Sequence, residues 1–308
     1  MSVARNLLLA ASTNAWLRDR AMQARFVKRS VARFMPGERI DDAMSAALRQ
    51  QSEGIGSILA HLGENVTTRG EAEAVTQHYL DVFDRLGASS LDAQVSIKPT
   101  QLGLDLDRDV CQQNVQRLVD RAAELRTLLW IDMENARYVD ATLDLFRRMR
   151  RRSPFVGLAL QACLYRTERD VESLLPLGAA LRLVKGAYLE PARIAYPKKT
   201  DVDQNYYRLA SRILGEHYRS GALLHIATHD PALIDRLSAL INGVEIPSTA
   251  YEFAMLYGIQ VPLQHRLVAA GRRVRVLISY GEYWFPWYLR RLAERPANVW
   301  FVVKQLFV

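Results

Sequence analysis

Short apolar runs recur along the chain, and each is followed by a polar stretch in which apolar residues return every three to four positions. The runs fall at 57–62, 94–98, 128–133, 157–162, 181–185, 223–228, 249–256 and 275–280, which makes eight β/α pairs. Intervening helices are predicted over 108–125, 136–151, 167–174, 205–220 and 231–240, long enough for right-handed crossovers between parallel strands. Runs that are nearly all apolar, such as LLWIDM and VGLALQA, suit a sheet buried on both faces. The expected fold is α/β: a (β/α)8 TIM barrel over residues 51–308 behind an N-terminal helical arm of residues 1–50. No Pro/Gly/Ser-rich linker or low-complexity tract divides residues 51–308.

Composition narrows the class. Hydrophobic residues make up 49% of the 308 positions and charged residues 24%, the balance of a globular enzyme with a large core. Apolar runs such as LLLAA at 7–11 stop far short of the roughly 20 residues that cross a bilayer. The two cysteines, Cys111 and Cys163, form no CxxC, which argues against a disulfide framework or cysteine metal cluster and fits a reducing, cytoplasmic setting. A net charge of +8 suits a nucleic acid, an anionic membrane surface or an anionic substrate. The basic clusters (Arg147, Arg148, Arg150, Arg151 and Arg152; Lys198 and Lys199; Arg272, Arg273 and Arg275; Arg290 and Arg291) read as solvated helix faces, with no nucleic-acid motif beside them. Among the first 35 residues, one acid, Asp19, stands amid seven arginines and lysines. That arm is basic and amphipathic, suited to an anionic lipid surface or to packing on the barrel.

In a (β/α)8 barrel the chemistry sits at the C-terminal strand ends, and here polar residues close most of the runs. Lys98 ends QVSIK, Asp132 and Met133 end LLWIDM, Gln161 ends GLALQ, Arg182 and Lys185 flank LRLVKGAY, and Thr228, His229 and Asp230 end LLHIATHD. Ionisable groups inside apolar runs cost free energy unless paired, so several converging on one mouth indicate a site. Asp132 taken singly suits a structural ion pair as well as a catalytic role. GIGSIL at 54–59 lacks the third dinucleotide glycine, and no P-loop occurs. His225 and His229 form an HxxxH pair without the glutamate of a zinc helix, and His225 reads as a satisfied strand-end histidine. Near the C-terminus, Pro286, Leu289, Leu292 and Ala293 outline a helix with Glu294 one turn after Arg290 and Arg291. Two adjacent guanidinium forks suit a small carboxylic acid, although an ordinary charged helix face has the same appearance.

Together, SIKPTQLG, WIDME, ALQA, LRLVKGAY, ATHD, YEFAMLYG, RVRVLISYG and YLRRLAERPANVWFVVKQLF resemble proline dehydrogenase in its short single-function form, in the right order over nearly the whole barrel. The resemblance implies a distorted (β/α)8 barrel with a catalytic helix after strand eight, FAD as cofactor, and oxidation of L-proline to Δ1-pyrroline-5-carboxylate with electrons passed to a membrane quinone. It also implies peripheral membrane association at the inner face, supported by the aromatic cluster Tyr283, Trp284, Phe285 and Trp287, which otherwise packs the last helix on the barrel. A downstream pyrroline-5-carboxylate dehydrogenase is a possible partner, and no nucleic-acid partner is implied.

By the same resemblance, Lys98, Arg290 and Arg291 hold the proline carboxylate, Glu294 braces the arginines, and Asp132 and Arg182 form the active-site pair. Met133, Gln161, Arg182, Val184, Lys185, Gly186, Ala187, Thr228 and His229 fall where the family contacts FAD, and Tyr188 and Leu256 border the substrate ring. One departure stands out. The family's last strand commonly reads VRVYVPYG, whereas VRVLISYG places Leu277 at the tyrosine position, on the substrate wall. Two rival readings remain at this level: a Schiff-base lyase using Lys98 or Lys185, and a nucleic-acid binder built on the basic clusters.

Overall fold

In the computed structural model, which describes residues 31–63, 66–188, 190–285 and 288, the eight runs form β1 (Gly56–His61), β2 (Ala93–Ile97), β3 (Leu129–Ile131), β4 (Val156–Gln161), β5 (Ala180–Val184), β6 (Leu223–Ala227), β7 (Tyr251–Leu256) and β8 (Val274–Tyr280). Each strand pairs in parallel with the next, and β8 closes on β1. Closure leaves the barrel no open edge. The helices around it are α1 (Ile40–Ser52), α2 (Arg69–Gly87), α3 (Arg108–Glu124), α4 (Val139–Arg152), α5 (Thr167–Leu174), α6 (Lys199–Gly215), α7 (His217–Ser220), α8 (Pro231–Gly243) and α9 (Val261–Ala269).

Helix starts follow local chemistry. Thr68 and Glu71 form a reciprocal capping box at α2, the Asp107 carboxylate accepts from the Asp109 and Val110 amides at α3, and Asp230 followed by Pro231 opens α8. The strand period of two then sorts side chains between faces. Leu59, Val95, Ile131, Leu158, Leu183, Ile226, Phe253 and Ile278 belong to a large core with helix residues such as Phe83, Leu118, Phe146 and Ile234. A separate cluster holds Ile58, Trp130 and Ala180, with Leu128, Leu223 and Leu277 against it. These residues alternate with the first set and fill the barrel interior.

The interior also carries a polar network. Glu252 is its hub: its carboxylate accepts from Arg275 Nε at 2.6 Å, pairs with Arg273, and lies 3.1 Å from His225 Nε2. Arg275 also reaches Asp92 at 2.8 Å and the carbonyl oxygens of Ser57 and Asp92. Gly56 makes room for it, since a Cβ there would stand 2.6 Å from Arg275 Nη1. Burial pushes His225 down to about 4 against the pull of Glu252, so its imidazole is neutral.

Several expectations change. Arg275 is a buried interior group, and Arg150 is half-buried with its guanidinium on the Leu177, Pro154 and Gly178 carbonyls, so neither belongs to a solvated face. His225 sits mid-strand inside the barrel, and His229 lies beyond the end of β6, so the two never share a strand. The helix predicted from 205 begins at Lys199, because its first turn is polar and carries no apolar period, and it breaks at Glu216 before α7. Trp284 and Phe285 are buried, with the Trp284 indole N–H donating to Glu38, so these two rings serve packing. Tyr283 alone of the described members of that cluster is exposed. The helix α1 packs its Ala43, Ala46 and Ala47 face into the outer core. The basic part of the arm, Trp287, and the Arg290, Arg291 and Glu294 assignments lie outside the described residues. No helix among the described residues is long and apolar enough to cross a membrane.

Candidate active site

The C-terminal ends of β2, β3 and β5 meet at one ionic contact. Arg182, buried on β5, donates through Nη2 to the Asp132 carboxylate just past β3 and to Ser96 Oγ on β2 at 2.8 Å, while the Ser96 hydroxyl donates to Asp132 at 3.0 Å. Nη1 of Arg182 is buried and has no hydrogen-bond partner among the described residues. Burial pushes the guanidinium below the usual arginine range, with the Asp132 carboxylate opposing that shift. The other interior arginine, Arg275, is saturated with acceptors. Of these two arginines, Arg182 is the one with a buried donor left unused among the described residues.

Lys98 stands at the end of β2, half-buried, and its ammonium makes no hydrogen bond or ion pair among the described residues. Beyond β3, Met133 is buried, and the Glu134 carboxylate accepts from the Thr100 amide at 3.1 Å and its hydroxyl at 2.7 Å. Burial raises the Glu134 carboxyl above its ordinary range, opposed by Thr100 and by the charge of Lys98. Gln161, at the end of β4, donates to the Met133 and Glu134 carbonyls at 3.1 and 2.9 Å, which leaves its buried Oε1 unpartnered.

The loop after β5 follows from one glycine. Val184 ends the strand opposite Gln161, and Gly186 takes φ +113, where a Cβ would meet Cys163 Sγ at 2.3 Å. Ala187 is exposed and Tyr188 half-buried behind it. The Lys185 ammonium turns away to Asp203 and Asp230, at 2.5 and 2.8 Å, and Lys199 joins the same two carboxylates. Burial acts to raise Asp230, but the two lysines hold it down at about 2. An ammonium engaged by two carboxylates is the opposite of the desolvated amine that Schiff-base chemistry requires. Thr228 is buried with its hydroxyl accepting from the Asp230 amide, and His229 Nε2 accepts from the Leu256 amide at 2.9 Å, tying the ends of β6 and β7. Leu277 faces the interior, in register with Leu256 and Ile58.

The structure thus brings Asp132 and Arg182 into contact, sets Lys98, Met133, Gln161, Val184, Gly186, Thr228, His229 and Leu256 around the same strand ends, and turns the Lys185 charge aside. Ser96, Trp130 and Glu134 were missed. Ser96 and Trp130 lie two residues before Lys98 and Asp132, on the same strand face, so the period of two already pointed to them.

These features define a parallel barrel enzyme whose chemistry lies at the C-terminal mouth. The sequence model of the proline dehydrogenase family matches residues 43–304. Proline dehydrogenase 2 of Bacillus subtilis (strain 168) is 36% identical over 276 residues, 89% of each chain, and the proline dehydrogenase of Deinococcus radiodurans is 38% identical over 277 residues, 88% of each. Proline utilization A from Bdellovibrio bacteriovorus, solved after inactivation by N-propargylglycine, has the same fold, with a TM-score of 0.82 and 22% identity over 94% of this chain and 36% of that longer one. The chain belongs to the proline dehydrogenase family, and it is an oxidoreductase and flavoprotein of proline catabolism that oxidises proline.

Proposed function

We propose that the chain holds FAD across the C-terminal mouth, oxidises L-proline to Δ1-pyrroline-5-carboxylate and passes the electrons to a membrane quinone, working as a peripheral protein on the inner face of the cytoplasmic membrane. Residues 51–308 are taken as the catalytic barrel and residues 1–50 as an arm carried on it. The observation that carries this reading is the unpaired Nη1 of Arg182 in a barrel whose other buried arginine is saturated. A buried donor without an acceptor costs about 1–3 kcal/mol and is retained where a ligand supplies one.

The residues present fit the cofactor. Gln161 Oε1, on the strand next to Arg182, is also buried without a partner among the described residues, and Gly186 at φ +113 sets the turn of the loop after β5. Met133, Gln161, Val184, Gly186, Ala187, Thr228 and His229 would hold the flavin, with Lys185 contributing its backbone and stem. FAD, when bound, supplies the acceptor for the hydride and both electrons of the reaction. The chain's own work is positional and electrostatic. Lys98, Arg290 and Arg291 place positive charge on the substrate carboxylate, Glu294 orients the arginines, and Tyr188, Leu256 and Leu277 wall the ring. Arg182, kept charged by Asp132, stabilises negative charge gathering nearby.

The test is an absorption spectrum of the purified protein before and after anaerobic L-proline, with the released cofactor identified by mass. A flavin band that bleaches, with FAD released on denaturation, is expected. A colourless protein that takes up no FAD would overturn the reading. Arg182→Met should keep flavin content while lowering kcat.

A further inference from the structure

Arg182 is held by one carboxylate, one hydroxyl and one ring. Its Cζ lies 5.0 Å from the centroid of the Trp130 ring, within reach of a cation–π contact in a buried setting. Trp130 is itself fully buried and clamped on several sides. Its indole N–H donates to Gln94 Oε1 at 2.7 Å, its ring meets that of His225 at 4.3 Å between centroids, and Gly157 opposite it has no side chain, since a Cβ there would stand 2.6 Å from the six-membered ring. His225 in turn lies 3.1 Å from Glu252, and Glu252 is fixed by Arg275. A continuous stack runs through the interior, from Arg275 and Glu252 by way of His225 and Trp130 to Arg182.

We propose that Trp130 is a positioning residue for Arg182: its ring face, braced by His225 and Gln94, holds the guanidinium in the orientation that keeps Nη2 on Asp132 and Ser96 and leaves Nη1 unpaired. The alternative contacts open to a loose guanidinium are close, because the neutral His225 neighbours Arg182 in register across β5 and β6. Trp130 denies that space to the arginine. A smaller flexible apolar residue would fill part of that volume without offering an aromatic face. This inference rests on the reading of Arg182 as the group that supports the flavin reaction.

The experiment compares Trp130→Phe, which keeps a ring face, with Trp130→Met, which does not, each in the wild-type and Arg182→Met backgrounds. Trp130→Met is expected to lower kcat about tenfold, with KM for proline within threefold. Its flavin reduction potential should shift in the same direction as that of Arg182→Met. Trp130→Phe should stay within threefold of wild type, and Trp130→Met should add nothing once Arg182 is gone. Equal losses from both Trp130 variants, or the same loss with and without Arg182, would make the ring a mere core filler and overturn the proposal. If Trp130→Met fails to fold, Gln94→Met removes the acceptor of the indole N–H and leaves the ring in place. A smaller kcat loss and a potential shift of the same sign are then expected, and wild-type values for both would overturn the proposal. Failure of the parent reading is distinct, because it would appear as a wild-type protein without a proline-reducible flavin.

Discussion

Leu277, proposed for the wall position at which the family commonly has tyrosine, has apolar surroundings: it packs against the cluster of Ile58, Trp130 and Ala180 and is paired in register with Leu256. Leucine is shorter than tyrosine and carries no hydroxyl, so nothing at this position can form a polar contact that favours or rejects a ring substituent. An apolar pocket rejects an added hydroxyl by only about 100-fold. Hydroxyproline is therefore expected to be a measurable though poorer substrate, and Leu277→Tyr is expected to sharpen the preference for proline by about tenfold. The ratio of kcat/KM for the two substrates in wild type and variant checks it, and an unchanged ratio would remove Leu277 from the substrate wall. At the same scale, Ser96 bridges Asp132 and Arg182. Ser96→Ala should lower kcat severalfold and cost about 2–3 kcal/mol of stability in urea melts, because its hydroxyl makes two hydrogen bonds to charged partners.

At the scale of elements, the loop after β5 depends on Gly186. Its φ of +113 excludes side chains, and the Cys163 sulfur already fills the space a Cβ would take. Gly186→Ala is expected to cost about 2–4 kcal/mol from backbone strain and overpacking together. Adding Cys163→Ala should recover the overpacking part and leave the strain, as measured by urea midpoints of the single and double variants. That glycine stands in LVKGAY, and the sequence alone marked it as small without revealing the sulfur behind it. The eight strands were legible because their apolar runs alternate with polar helical stretches, and Lys98, Asp132, Gln161 and Arg182 were legible because a polar or charged group in an apolar run is costly unless paired. Pairing was not. Lys185 meets Asp203 and Asp230, and Arg275 meets Glu252 and Asp92, through loop paths and interstrand register that no local spacing encodes. Residues 132 and 133 fell past the ladder because β3 contributes only three residues to it.

Across the whole molecule, two consequences follow from where charge is buried and where it is exposed. His61 at the end of β1 and His225 inside the barrel are both pushed down to about 4, chiefly by burial, so they stay neutral in the fold while the unfolded chain binds protons below about 6.5. The unfolded state therefore holds more protons between pH 6.5 and 4, and stability should fall as pH drops through that window, by up to about 1.4 kcal/mol per pH unit for each histidine. Urea midpoints at pH 7 and 5 test this, and His61→Gln should flatten part of the slope. Membrane association concerns the outside. With Trp284 and Phe285 buried and Tyr283 exposed, the described members of that C-terminal aromatic cluster leave one ring for the bilayer, whereas the net charge of +8 remains. Attraction to an anionic leaflet is worth about 1 kcal/mol per basic residue near the surface and is screened within about 10 Å at 0.1 M salt. Binding should therefore be electrostatic. Flotation is expected with vesicles containing anionic lipid at low salt, none with purely zwitterionic vesicles, and release as salt is raised. Tyr283→Ala should change the bound fraction little, because a single ring adds little to the attraction of many charges. Binding to zwitterionic vesicles that survives high salt would instead point to apolar insertion and sink the electrostatic account.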